Sequence, residues 1–359
     1  MYARGVYGRA LAISCIALAA MFGAMGPGHA RSKSLTLQVG SQVPSVSTLL
    51  LYVAEKAGFL AAEDLDFDVH YTANAPTAMQ LVAAGNADVG VLTVEPLILG
   101  YDKGLRGKMF FVHQRPLNYY IAVPETSPVR SLADLKGKNI GVSNLGSAAI
   151  PVVKSMMRTV GAEAGRDYTL VPVGVLDQAA AALKSDRVAA VALWESQYAA
   201  FARIGLPFRY FHHATLGDFG NNGFAASERT IKDKAEELCS LGRSLTKAIS
   251  FVYENPRAAL GIYWSVNPGA RDASDPAAEA KGMHEIDYIA RGYQTYTDGQ
   301  KDFGKVDRAG LEKYMQMYKN EGALKEIPPV DDLVTDQFVK CSNEIDPAAV
   351  RKLAHDWKQ

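Results

Sequence analysis

The sequence predicts an α/β protein built as two similar lobes around a shared cleft, followed by a helical extension. Residues 83–95 (AAGNADVGVLTVE) and 183–195 (LKSDRVAAVALWE) each read as a helix end, a polar turn, an apolar strand and a glutamate. Residues 35–50 and 138–153 both read as a strand, a turn containing Gly or Ser, and a helix. Loops repeated at the ends of strands in two halves indicate two matching lobes. The alternative is chance, because short apolar strings recur in any parallel sheet.

Residues 1–30 have the three parts of a secretory signal peptide. Arg4 and Arg9 form a basic start, residues 10–25 are apolar and uncharged, and Gly28-His29-Ala30 is an exit of small residues. The apolar stretch is shorter than the ~20 residues that span a bilayer. We therefore expect a soluble protein exported to the periplasm, with cleavage near residue 30.

Charge excludes one class of partner. The whole chain has 38 basic and 38 acidic residues. Removing Arg4 and Arg9 with the signal leaves 36 basic and 38 acidic residues, a net charge of −2. Because phosphate binding needs concentrated positive charge and the sequence has no basic stripe, nucleic acid is not an expected partner.

Two cysteines, Cys239 and Cys341, remain after removal of the signal. An oxidising compartment permits a disulfide between them. The sequence does not place the two Cα atoms within bonding distance, so the pairing stays open.

Strands and helices alternate from Leu35 to about Phe211, which favours parallel sheets with right-handed crossovers. The expected strands are Thr36–Gly40, Phe67–Tyr71, Asp88–Leu92, Met109–His113, Tyr119–Val123, Asn139–Val142, Thr169–Val173, Ala189–Leu193 and Phe208–Phe211. The expected helices in this part include Thr48–Ala57, Thr77–Ala84, Ala148–Val160, Gln178–Lys184 and Ser196–Ile204.

From about Glu228 the apolar positions repeat at helical spacing, with a break at Asn255-Pro256. This part has no strands of its own, so we expect it to pack on the first lobe. The chain would then cross between lobes near Val123–Pro124 and again near Asn222–Ala225, forming a two-segment hinge. The expected division is residues 1–30 (signal), 31–123 (first lobe), 124–224 (second lobe) and 225–359 (helical remainder of the first lobe).

Four segments carry a resemblance to a known family. Residues 125–142, with DLKGK at 134–138, resemble the start of the second lobe in periplasmic substrate-binding proteins of ABC importers. Residues 51–69, 81–91 and 333–346 are similar to the same family in the same order. The resemblance covers residues 35–346 and is to the nitrate, sulfonate and taurine branch and its relatives that bind pyrimidine precursors of thiamine. HQRPLNYYIAV (113–123) favours the pyrimidine relatives.

The resemblance implies an α/β, two-lobed periplasmic-binding-protein fold of type II, with a double-crossover hinge. The helical C-terminal extension would pack on lobe 1. It further implies a small-molecule ligand, no cofactor and a monomer that meets the transmembrane subunits of an ABC permease.

Ligands of open α/β sheets bind beyond the carboxyl ends of the strands. The side chains expected there are Ser45, Ser47, Glu95, Tyr119, Asn144, Ser147, Trp194, Glu195, Phe219 and Asn221. Ser147 either helps a helix N-terminus hold a polar group of the ligand or only caps that helix. Aromatic side chains in this set either stack on a flat ring or pack in the core.

Glu95 and Glu195 each follow an apolar strand directly. Either both face the cleft, or both begin helices, where an acidic residue complements the dipole. Two carboxylates in one cleft would disfavour an anionic ligand and favour one rich in N–H donors or positive charge.

Motifs of catalysis and metal binding are absent from the sequence. It has no G-x-S-x-G elbow and no phosphate loop, and Tyr288 stands where the zinc motif begun by His284-Glu285 would need histidine. We therefore expect no metal, and a binding protein that carries a flat nitrogenous compound such as a pyrimidine to a permease. The alternatives are a binder of a small anion (sulfonate, taurine or nitrate), a sensor lobe, and an enzyme like the pyrimidine synthases, whose cysteine-rich motif is missing here.

Overall fold

Two five-stranded sheets lie at the centres of the two lobes in this computed structural model, which describes residues 33–358 except 43, 116, 118, 218–219 and 294–301. The strands are β1 (Lys33–Val39), β2 (Leu65–Tyr71), β3 (Val89–Thr93), β4 (Lys108–Gln114), β5 (Tyr119–Pro124), β6 (Asn139–Val142), β7 (Thr169–Pro172), β8 (Ala190–Trp194), β9 (Phe208–Phe211) and β10 (Asn222–Ala226). The signal-peptide prediction and Phe219 fall outside the described residues.

Helices connect and cover the strands. They are α1 (Leu49–Lys56), α2 (Ala75–Ala83), α3 (Glu95–Tyr101), α4 (Ala149–Arg158), α5 (Asp177–Lys184), α6 (Glu195–Arg203), α7 (Glu228–Asp233), α8 (Ala235–Glu254), α9 (Pro256–Val266), α10 (Ala278–Tyr293), α11 (Arg308–Asn320), α12 (Val330–Leu333), α13 (Val339–Ser342) and α14 (Pro347–Asp356). None of the described helices is both long and apolar enough to cross a membrane.

The two sheets have the same strand order, which confirms the two-lobed α/β prediction. The first runs β2-β1-β3-β10-β4 and the second β7-β6-β8-β5-β9. The repeated segments of the sequence occupy equivalent places, since β3 continues into α3 and β8 into α6. The lobes therefore meet with equivalent strand ends.

The sheets are mixed, whereas strand–helix alternation predicts parallel ones. β10 runs antiparallel to β3 and β4, and β5 runs antiparallel to β8 and β9. Each of these two strands begins directly after the chain has crossed from the other lobe. It therefore enters its sheet from the cleft and runs opposite to its neighbours.

The chain passes between the sheets twice, as the double-crossover prediction requires. The first passage lies between β4 and β5. It comes earlier in the chain than the expected exit at Val123–Pro124, which lies at the end of β5. The second passage lies between β9 and β10.

The C-terminal part is helical, as predicted. Asn255 ends α8 and caps α9, its side chain accepting a hydrogen bond of 2.9 Å from the Ala258 amide, while Pro256 begins α9. The structure also settles the open pairing of the cysteines, because Cys239 of α8 and Cys341 of α13 form a disulfide with Cα atoms 5.7 Å apart. The last helices are thereby fastened to the longest one.

One hydrophobic core is shared by both lobes. It contains Leu92 and Val112 of the first sheet, Val142 of the second, and Tyr314 and Tyr318 of α11. We predicted that the helical part packs on lobe 1, but α11 also packs on α4 of the second lobe. The prediction was therefore incomplete. This helix contacts both sides of the hinge.

Candidate functional site

Glu195 lies where the first passage between the sheets meets the start of α6. Its Oε2 accepts a hydrogen bond of 3.0 Å from Nε2 of Gln114, the last residue of β4. The Gln114 Oε1 in turn accepts from Nδ2 of Asn222 at 3.3 Å, at the start of β10. The carboxylate of one lobe is therefore held by an amide of the other, beside both passages of the chain.

Tyrosines surround this carboxylate. The hydroxyl of Tyr120 in β5 is hydrogen bonded to that of Tyr288 in α10. The Tyr120 ring stacks on Tyr198 with centroids 4.9 Å apart and lies 4.7 Å from the His212 ring. We call Gln114, Tyr120, Glu195 and Tyr288 the Glu195 cluster.

Burial raises the pKa of Glu195 to about 8, and the hydrogen bond from Gln114 acts in the opposite direction. No lysine or arginine among the described side chains forms an ion pair with this carboxylate. Glu195 is nevertheless partly exposed. The cluster therefore offers an uncompensated acceptor beside aromatic faces, which suits a group that donates N–H bonds or carries positive charge.

Glu95 has the equivalent place in the first lobe and a different setting. It is only 2% exposed. Its Oε1 accepts hydrogen bonds from the Tyr314 hydroxyl at 2.6 Å and from Nδ2 of Asn221 at 2.8 Å. The Tyr318 hydroxyl lies 3.1 Å from that of Tyr314 and donates to the carbonyl of Ala148 at 2.8 Å.

We call Glu95, Asn221, Tyr314 and Tyr318 the Glu95 cluster. Burial raises the pKa of Glu95, while hydrogen bonds from Thr93, Tyr314 and Asn221 act in the opposite direction. Through Tyr318 the cluster reaches the residue that precedes α4 in the second lobe. It joins the two lobes and is closed to solvent.

Both glutamates are the first residues of helices, α3 and α6, so the helix-start interpretation describes their backbone. The remaining predicted residues fall into small groups. Tyr119 pairs with Trp194 in the register of β5 and β8, directly before Glu195. Ser45 and Ser47 lie with their hydroxyl oxygens 2.5 Å apart at the short 3-10 helix that precedes α1.

Asn144 and Ser147 occupy the loop between β6 and α4. The exposed Asn144 accepts a hydrogen bond of 2.9 Å from the Gly146 amide, and Ser147 Oγ accepts one of 3.3 Å from the Ala149 amide. Ser147 thus satisfies one free amide at the start of α4, although the assigned cap is Ala148. These contacts do not test a ligand role for Asn144 or Ser147, and that role stays a prediction.

Several residues of the two clusters are not among the predicted site residues. Gln114 ends a strand one residue before the crossing segment. In the sequence, Tyr288 stands out only as the residue that breaks a zinc motif. Tyr314 and Tyr318 have the i, i+4 spacing of an ordinary core face. Only the carboxyl-end rule could have pointed to Gln114. In the described ranges no group of three or more His, Cys, Asp or Glu side chains could hold a metal ion.

Comparison with known proteins places the fold among the periplasmic binding proteins. The structure is similar to the alkanesulfonate-binding protein SsuA from Xanthomonas axonopodis pv. citri bound to MOPS, with a TM-score of 0.62, 18% identity, and coverage of 84% of this chain and 98% of that one. It is also similar to the periplasmic nitrate-binding protein NrtA from Synechocystis PCC 6803, with a TM-score of 0.62, 12% identity, and coverage of 92% and 99%. At these identities the likeness shows the fold alone.

Sequence comparison gives the family. Residues 46–259 match the model of the family described as NMT1/THI5 like, and the chain belongs to that family. The formylaminopyrimidine-binding protein of Halalkalibacterium halodurans is 27% identical over 227 residues. That alignment spans 61% of this chain and 66% of the relative, slightly less than two thirds of its length. The family resemblance predicted from the sequence is confirmed.

Proposed function

We propose that this protein is a solute-binding protein that holds a small, flat, nitrogen-rich molecule of the aminopyrimidine class between its lobes and delivers it to an ABC permease. The observation that carries this proposal is the Glu195 cluster. Its carboxyl group is partly exposed, forms no ion pair with a lysine or arginine of the described residues, and lies among aromatic rings at the junction of the lobes. A ring bearing N–H donors can stack on a tyrosine or tryptophan face and donate to this acceptor.

The charge of the cluster separates this ligand class from the anions bound by similar folds. Burial keeps Glu195 mostly protonated at neutral pH when no ligand is bound. A ligand that donates N–H bonds or carries positive charge would favour the ionised carboxylate, whereas a nitrate or sulfonate would repel it. Membership of the NMT1/THI5-like family and the pyrimidine-binding relative support the same class. Trp194, Tyr119, Ser45, Ser47, Asn144 and Ser147 are the further residues that we propose for the cleft.

Export to the periplasm and a non-catalytic role belong to the same proposal. The Cys239–Cys341 disulfide suits an oxidising compartment. Capture of a solute by closure of two lobes needs no nucleophile. We propose the first lobe to comprise the first sheet with the C-terminal helices, and the second lobe the second sheet.

Ligand identification tests the proposal. The protein is purified from its native source compartment and denatured, and the released small molecules are identified by mass spectrometry. In parallel, thermal unfolding is followed with a formylaminopyrimidine, an aminopyrimidine, taurine and nitrate. A true ligand at a hundredfold excess over Kd should stabilise the fold by about 2.7 kcal/mol. Stabilisation by taurine or nitrate, with none by the pyrimidines, would show that the carboxylate argument is wrong.

A further inference from the structure

A cavity lies away from the Glu195 cluster, between the second lobe and the end of α11. Its volume is about 330 Å³, within the range of roughly 300–1,000 Å³ typical of small-molecule sites. One wall is the C-terminal half of α4 with the loop at residues 162–168, and the other is the segment at residues 320–322. Every lining residue belongs to the described part of the chain.

Basic side chains form the accessible part of this wall. The Arg158 side chain is 58% exposed and pairs through Nη2 with Oε2 of Glu321 at 2.9 Å, whereas the Glu321 side chain is only 3% exposed. Lys154 lies close enough to act on the same carboxyl, since Lys154 and Arg158 oppose the rise that burial causes in the Glu321 pKa. The other lining acid, Glu163, is paired with Arg166 at 3.0 Å. Glu163 is 66% exposed and Arg166 is shared with Asp167, so the lining charges balance. Lys154 is the lining cation that forms no ion pair among the described residues.

Tyr168 contributes a buried hydroxyl to the same wall. The residue is 3% exposed, and no described residue forms a hydrogen bond with its hydroxyl. Burial first, and then the Glu321 carboxylate, raise the pKa of Tyr168 to about 12, so the hydroxyl keeps its proton. A buried donor without an acceptor is unfavourable, and an acceptor brought by a ligand would satisfy it.

We propose that this cavity is a second binding site, for a small anion that presents a carboxylate or phosphate group to Lys154, Arg158 and Tyr168. Two cations and a neutral donor form the arrangement in which charge-assisted hydrogen bonds to such oxygens are strongest. This proposal does not depend on which ligand binds in the cleft.

The position of the cavity gives its occupant contact with both lobes. α11 is fixed to the first lobe by the bond from Tyr314 to Glu95 and touches the second through Tyr318 and Ala148. The Arg158–Glu321 pair joins the same two elements a short distance further along. An anion bound here would bridge α4 and α11 and so stabilise their contact.

Titration calorimetry tests the site with inorganic phosphate and with malonate as separate probes, at an ionic strength held constant with sodium chloride. The intact protein should bind at least one probe saturably with one equivalent, and the arm that saturates tells whether phosphate or carboxylate is preferred. Lys154→Met should weaken that binding by about tenfold, and Tyr168→Phe, which removes only the hydroxyl, by about threefold to tenfold.

A control variant separates this site from general charge effects. Lys184→Met removes an exposed lysine of α5 in the same lobe and should leave probe binding unchanged. The proposal is overturned if neither probe saturates. It is equally overturned if Lys184→Met weakens binding as much as Lys154→Met, or if Lys154→Met and Tyr168→Phe leave binding intact.

Discussion

Glu95 and Glu195 occupy the same position in two copies of one structural unit, yet their surroundings differ. Each follows the central strand of its five-stranded sheet and begins a helix. Glu95 is sealed from solvent and receives two hydrogen bonds on one oxygen, from Asn221 and Tyr314. Glu195 is partly exposed and receives one, from Gln114 of the other lobe.

The difference comes from what covers each strand end. In the first lobe, α11 places two tyrosines over Glu95 and continues to the second lobe. In the second lobe, α10 brings Tyr288 to Tyr120 and leaves the Glu195 carboxylate accessible. One copy of the unit is a fixed junction between lobes, and the other is the copy that we propose to receive the ligand. Asymmetric covering thus gives two copies of one unit different surroundings.

The largest expected effect is on folding, from Glu95→Ala. This change leaves the Tyr314 hydroxyl and the Asn221 amide without their acceptor in a buried place, so we expect a loss of about 3 kcal/mol in the free energy of unfolding. Urea denaturation followed by circular dichroism measures it. Glu195→Ala is the matched control and should cost less than about 1 kcal/mol. Equal losses in the two variants would show that the two positions do not differ in burial as described.

The next effect is on binding, from Glu195→Gln. The substitution keeps the shape but removes the carboxyl group that can ionise beside a ligand with N–H donors, so affinity for an aminopyrimidine should fall about tenfold to a hundredfold, the worth of a hydrogen bond to a charged group. Isothermal titration measures the affinity. Glu95→Gln, in the sealed copy, should leave it within about twofold. Weaker binding in both variants would mean that both carboxyl groups act on the ligand.

A smaller effect is a pH dependence confined to Glu195. Its pKa is raised from 4.5 in the unfolded chain to about 8 in the folded protein, so the folded state binds more protons between these values. This residue therefore lowers stability progressively as pH rises from about 5 to about 8. The free energy of unfolding of Glu195→Gln relative to the wild type should increase over that interval. A constant difference would contradict the raised pKa.

Local patterns predicted much of the fold. The strand–turn–helix units, the break at Asn255-Pro256 and the repeat ending in Glu95 and Glu195 all depend on neighbours within a few residues. The direction of β5 was missed, and β10 was not predicted as a strand at all. The direction of both strands is set by where the chain crosses the hinge. The pattern of residues within a strand does not indicate the direction in which the strand runs.

The sequence indicates where Glu195 lies on the fold but not which residues contact it, for a related reason. The carboxyl-end rule finds Glu195, whose partner Gln114 lies 81 residues away in sequence. The fate of Glu95 depends on Tyr314, which is 219 residues away and reads as part of an ordinary amphipathic helix. When residues far away in sequence decide whether a side chain is buried, the neighbouring sequence gives no sign of it. The sequence therefore gives no reason to distinguish Glu95 from Glu195, whereas the tertiary structure buries the first and leaves the second partly exposed.

The smallest effect concerns the far end of the Glu95 cluster. Tyr318→Phe removes the hydroxyl that donates to the Ala148 carbonyl, at a cost of about 1 kcal/mol in the free energy of unfolding. Tyr314→Phe should cost more, because it also takes a donor from the buried Glu95 carboxyl. Urea denaturation of both variants gives the comparison. If Tyr318→Phe proves the more damaging, the contact with the second lobe, and not the protection of Glu95, is the main contribution of α11.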